Sequence, residues 1–148
     1  MRLLTTTIAS LVLILSSFQT LAQDGQLKIT LVEGGPIIDG PIQVRTTQTV
    51  LLEGSTTDRS QVWVLIRPHA AQSYWVQGSS SPSESNGTLS WELTGFLGEP
   101  CFHFERFSAV AVQRPNIVLQ RGQTLRNVPL SALRSNSVVI DKIRPSNC

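Results

Sequence analysis

Positive charge is sparse and dispersed in this sequence. Lys and Arg number 12 against 10 Asp and Glu, and between Arg45 and Arg144 no basic run is long enough to follow a phosphate backbone. That excludes nucleic acid and anionic lipid as main partners. The spacings that carry metal and nucleophile chemistry are missing as well: there is no C-x-x-C, H-E-x-x-H, H-x-H, acidic calcium loop or G-x-S-x-G. His69 and His103 are the only histidines. With Glu99 or Glu105 they would make a metal cluster only by chance proximity, and histidines so placed on loops or edges are ordinarily solvated. A hydrolase would have to use His69 or His103 without a placed nucleophile, because the serines of 79–85 read as a flexible polar loop. The carboxylates are few and unpaired by any glycosidase motif. The expectation is a protein without catalysis, metal or cofactor.

Long apolar runs are also scarce, and the one that stands out is at the start. Arg2 precedes the apolar stretch 8–15, which gives way to Ser16, Ser17, Gln19 and Thr20-Leu21-Ala22. This is the order of a secretory signal peptide, cleaved after Ala22. The run is about half of the roughly 20 residues a bilayer span needs. No cysteine stands directly after the cleavage point to carry a lipid. The expected organisation is a signal peptide at 1–22 and one domain at 23–148, secreted or periplasmic, with no membrane span once the signal is removed. Cys101 and Cys148 are the only cysteines, an even count in a chain sent to an oxidising compartment. Their expected disulfide would close a loop worth roughly 4 kcal/mol on the chain-entropy account.

What the mature region does contain is β punctuation. Turn residues recur at short intervals, separated by segments rich in Val, Ile, Leu, Thr and aromatics. Strands are expected at 27–32, 49–53, 61–67, 73–77, 88–94, 102–113 and 137–143, with an extra edge piece at 42–45. The run Val62-Trp63-Val64-Leu65-Ile66 is apolar throughout, so both of its faces should be covered. Leu89, Trp91 and Leu93 alternate with Ser90 and Glu92, the pattern of a strand wet on one side. The polar segment 78–87 reads as a surface loop, the most mobile of the chain, ending in an Asn86-Gly87 turn. Asn86-Gly87-Thr88 is also a glycosylation acceptor, relevant only in a eukaryotic source. Pro129 opens a stretch, 129–133, that suits one short helical turn.

Several pieces in order, 62–68, 74–77, 86–91, 107–112 and 135–140, resemble bacterial exported modules with an immunoglobulin-like or fibronectin type III-like sandwich. The resemblance implies an all-β, two-sheet sandwich of about seven strands, used as an accessory or recognition unit and bearing no catalytic residues. The antibody pattern of cysteine, tryptophan and cysteine is absent, because Trp63 precedes both cysteines.

Tyr74 and Trp75 are neighbours in an alternating segment, so one ring points inward and the other outward. The outward ring, set among Arg67, His69, Gln72 and Gln77, is the candidate contact for an extracytoplasmic protein or glycan surface. Trp63 and Trp91 read as core. The alternative role is an envelope assembly component that pairs partners along a strand edge, with the rings serving only as packing.

Overall fold

The computed structural model describes residues 26–45, 48–99, 105–143 and 146. The signal segment and both cysteines lie outside the described residues, and so does His103. Among the described residues the chain is all β, with twelve strands in two packed sheets. Among these residues no helix is long and apolar enough to cross a membrane.

The first sheet runs in the order β2 (Gly35–Pro36), β1 (Lys28–Val32), β4 (Thr49–Thr56), β8 (Thr88–Phe96) and β7 (Ser83–Ser85). The second runs β10 (Thr124–Leu125), β6 (Tyr74–Ser80), β5 (Val62–Pro68), β9 (Glu105–Pro115), β12 (Val138–Ile143) and β3 (Ile42–Arg45), with β11 (Ser131–Arg134) also on β9. Neighbours are antiparallel except β3 and β12, which run parallel from Ile42↔Ile140 to Arg45↔Ile143. Each segment read as a strand coincides with a long element where it is described, and 42–45 is the extra edge piece.

Period-two alternation explains the main core. Val50, Leu52 and Trp91 from the first sheet meet Val62, Val64, Ile66, Phe107, Ala109, Ala111 and Ile140 from the second. Gly54 is what lets Trp91 lie flat: a Cβ there would collide with the Lys28 carbonyl and the indole ring. The far face of the second sheet is buried too. Leu65, Val76, Val110 and Val112 are covered by Leu119, with Trp63, Tyr74, Leu125 and Val128 packed around them. This is why 62–66 is apolar at every position. It also places the tryptophans differently: Trp91 is 3% exposed between the sheets, whereas Trp63 is half-buried on the outer layer.

Two local expectations are corrected. The segment 129–133 makes no helical turn; Ser131–Arg134 is a strand, with Leu133 opposite Gln113 and Arg134 opposite Val112. The buried edge of β9 offers unpaired backbone groups there, and pairing outweighs the weak local preference of a single turn. The segment 78–87 is not one loop. β6 continues to Ser80, and Ser83–Ser85 forms a hairpin with β8 across Asn86 and Gly87, whose φ values of 51° and 78° are those of a tight two-residue turn.

One end of the sandwich is closed by polar bonds. Gln113, fully buried, accepts from the Thr56 hydroxyl and donates to the carbonyls of Asp58 and Ser60. The other end, where β5, β6 and β8 meet the turn after Phe96, is open.

Candidate functional site

The open end forms a cleft of about 260 Å³ between the sheets. Its walls are Ile66 and Pro68 from β5, Trp75 from β6, Phe96 from β8 and Phe107 from β9. Trp75 is 50% exposed and Phe96 45% exposed, far more than rings in a closed sandwich. The cause is topological. β7 pairs β8 only from Thr88 to Ser90, so beyond that point the first sheet ends one strand short and leaves Trp75 on the inner side of β6 bare, whereas Phe96, opposite exposed Thr49 and next to inward-facing Gly95, stands on the outer side of β8.

Gln77 ties the two walls together. Its Oε1 accepts the Phe96 backbone N–H at 2.7 Å, and its Nε2 donates to the Trp75 carbonyl at 3.1 Å. One amide thus bridges the sheets and fixes both aromatic residues through their backbones. The rim is completed by the turn 97–99. Leu97 is fully buried and donates its N–H to the Gln48 carbonyl. The buried Lys142 ammonium donates to the carbonyls of Leu97 at 3.1 Å and Glu99 at 2.7 Å. Those carbonyls supply the hydrogen bonds that burial keeps water from making. Gly98, with φ of 84°, makes the turn between them. Glu99 and Glu105 line the mouth, and among the described residues no basic side chain does.

The five residues named from sequence divide between two faces. Trp75 and Gln77 belong to the cleft. Tyr74 and Arg67 lie on the opposite face of the sheet, where the guanidinium carbon sits 4.9 Å from the centre of the Tyr74 ring. Arg67 Nε is buried there without a hydrogen-bond partner. His69 stands near that face too, its Nε2 2.8 Å from Ser108 Oγ. Alternation predicts one packed ring and one exposed ring: Trp75 is the half-exposed one, on the side of the strand that faces the other sheet, and Tyr74, on the outward side, packs with Leu125 and its neighbours.

His69 and Ser108 have the separation of a base and a hydroxyl nucleophile, but their surroundings differ from a hydrolytic site. Ser108 is buried, and Asp141 directs both oxygens to Arg106, at 2.6 and 2.9 Å, rather than to His69. Hydrogen bonding to Arg106, helped by its charge and that of His69, holds the Asp141 carboxyl below the usual carboxylate range against the opposing effect of burial. The recess beside His69, lined also by Pro68, Ala70, Glu105 and Arg106, is shallow in chemistry: its cation is already engaged by Asp141.

No protein-family model matches the chain, and no curated protein is significantly similar to it.

Phe96 and Phe107 escaped the sequence reading as site residues. Phe96 closes a strand whose visible alternation ends at Leu93, and Phe107 lies in an apolar run that signals core.

Proposed function

We propose that the protein is a non-catalytic, exported recognition module that grips its partner in the cleft beside Trp75. The observation that carries this reading is the half-exposed Trp75 ring over an apolar floor of Ile66, Pro68 and Phe107, with Gln77 tying its backbone to that of Phe96 across the sheets. Rigid aromatic anchors beside a concave apolar surface are what recognition sites use, since they offer large contact area at small conformational cost. Export is supported by the order of residues 1–22.

The likeness to immunoglobulin-like exported modules gains support from topology. With β1, β4 and β8 taken as strands A, B and E, and β5, β9 and β12 as C, F and G, the strand orders β1-β4-β8 and β5-β9-β12 are those of an immunoglobulin sandwich. In that arrangement β6 extends the second sheet on the C side.

The test is retention of the mature protein on peptide and glycan arrays, comparing wild type with Trp75→Ala. Wild type should be retained on at least one surface, and the variant should lose retention while keeping a β circular-dichroism spectrum. Absence of retention of wild type on every surface overturns the proposal.

A further inference from the structure

We infer that the closed end of the sandwich docks on the surface of an anionic lipid bilayer, through an apolar tip framed by arginines. The tip is built from two loops. The loop after β9 carries Ile117, 41% exposed, and Val118, 84% exposed, and the loop before β11 carries Leu130, 77% exposed. The Asn116 N–H donates to the Leu130 carbonyl at 2.8 Å, which stitches the two loops together and groups the three side chains at one end. Pro115 and Pro129 stiffen the chain beside them. Single apolar side chains are ordinary on a surface, whereas several gathered on one tip mark a contact.

Exposure decides what covers the tip. Val118 and Leu130 stand almost clear of the protein, so they neither line a groove nor lie flat on their own sheet. A folded partner would need a hole matched to each of them. Acyl chains close around any projecting group, and insertion is favourable in proportion to the apolar surface buried. Charge decides which bilayer. Residues 113–140 hold Arg114, Arg121, Arg126 and Arg134 and no Asp or Glu. Arg114, Arg121 and Arg134 each lie within four residues of Ile117, Val118 or Leu130, and Arg121 and Arg134 are exposed without an ion pair among the described residues. The carboxylates of Asp58 and Glu84 are already engaged by Arg114 and Arg59. This excess of positive charge suits lipid phosphates and opposes a second copy of the chain, where arginine would meet arginine. Folding thus gathers around one tip cations that the sequence disperses. Along β9 the tip follows Pro115, about 25 Å from Phe107 in the cleft at the rise of an extended strand. The bilayer is therefore an anchor, separate from the partner in the cleft.

Flotation of the mature protein with vesicles tests this. Phosphatidylcholine alone gives a neutral surface, and about one third phosphatidylglycerol makes it anionic. Binding is expected on the anionic vesicles, should be far weaker on the neutral ones, and should fall as salt is raised. Val118→Asp and Leu130→Asp should each abolish it while the β circular-dichroism spectrum is kept, and Val118→Ser is the milder change if Asp disturbs the loop. Arg121→Gln and Arg134→Gln should each weaken binding about fivefold. Equal binding to both kinds of vesicle overturns the inference, as does anionic binding that survives Val118→Asp and Leu130→Asp together. Absence of binding to either vesicle also overturns it, and retention on polyglutamate in that case assigns the patch to an acidic protein. The cleft is judged separately, by the array retention of Trp75→Ala.

Discussion

Gly54 and Gly95 both point into the space between the sheets, yet a methyl group would meet different things at the two positions. At Gly54 it runs into the Lys28 carbonyl and the Trp91 ring, which are backbone and a packed indole. At Gly95 it meets Ile66 Cδ1 at 2.5 Å, the far end of a flexible side chain. Overpacking costs about 1–3 kcal/mol where neighbours can yield and more where they cannot. Gly54→Ala is therefore expected to cost about 3 kcal/mol or more in urea unfolding, and Gly95→Ala about 1–2 kcal/mol. Ile66→Val removes the offending carbon, so the double variant with Gly95→Ala should cost less than the sum of its parts by at least about 0.5 kcal/mol. Strict additivity would show that Ile66 is not what resists the added methyl. Gln77 supplies a second contrast at this scale. Gln77→Ala leaves both rings in the chain but removes the acceptor for the Phe96 N–H and the donor to the Trp75 carbonyl. A loss of about 1 kcal/mol in stability, accompanied by a clear fall in Trp75-dependent retention, is the expected result. Unchanged retention would mean that the walls hold their spacing without the amide.

Among the elements, β1 shows how an edge is kept from pairing with strangers. β2 covers only Leu31 and Val32, and further back the Asn136 carboxamide takes the place of a strand: its Oδ1 accepts the Ile29 N–H at 2.9 Å and its Nδ2 donates to the Ile29 carbonyl at 3.2 Å. A bare edge is a template for a second chain. Asn136→Ala should thus lower stability by about 1–2 kcal/mol and bring concentration-dependent association in light scattering. A monomer at every concentration would show that the side chain only stabilises. The same element explains what could be read in advance. Residues 88–94 and 62–66 declare their layers through side-chain period and apolarity, because each strand's faces see a uniform environment over its whole length. The short pieces β2, β7, β10 and β11 carry no such record. A two- to four-residue strand is formed by whatever edge lies beside it, so Ser131–Arg134 becomes a strand through β9 rather than through its own composition. The cleft was half legible for the same reason. Alternation at Tyr74 and Trp75 shows that the rings point opposite ways, but which side is wet depends on where β7 stops and where Leu119 and Leu125 lie, and both are facts of long-range packing.

At the scale of the whole molecule, two carboxylates at different places link folding to pH. Asp58 sits by the closed end, where its Oδ1 accepts from the Ser60 N–H and hydroxyl and its Oδ2 faces Arg114. Those bonds, with Ser60 foremost, hold its carboxyl below the ordinary range. Asp141 is held low on the second sheet by Arg106. A carboxyl whose pKa is depressed in the folded state binds protons more readily when unfolded, so stability rises with pH through that window. Its contribution is complete above the unfolded value, near pH 4, and drains away as pH falls through the folded value. Unfolding free energy should accordingly be flat from neutrality to about pH 5 and decline below about pH 4. Asp141→Asn separates this cause from general acid expansion. At pH 7 it removes the charge that Arg106 binds and should cost about 1–2 kcal/mol, a figure held down by the solvent around a guanidinium that is 42% exposed. As pH falls below about 4 the unfolded wild-type carboxyl takes up its proton first and the folded one follows at lower pH, so the gap between the two proteins should narrow steadily from pH 4 downward. Urea titrations at pH 7, 5, 4 and 3 measure the gap directly. A gap that persists undiminished at pH 3 would assign the loss to packing of the amide rather than to the ion pair, and a wild type whose stability does not fall in acid would remove both carboxylates from the account of what holds the sandwich together.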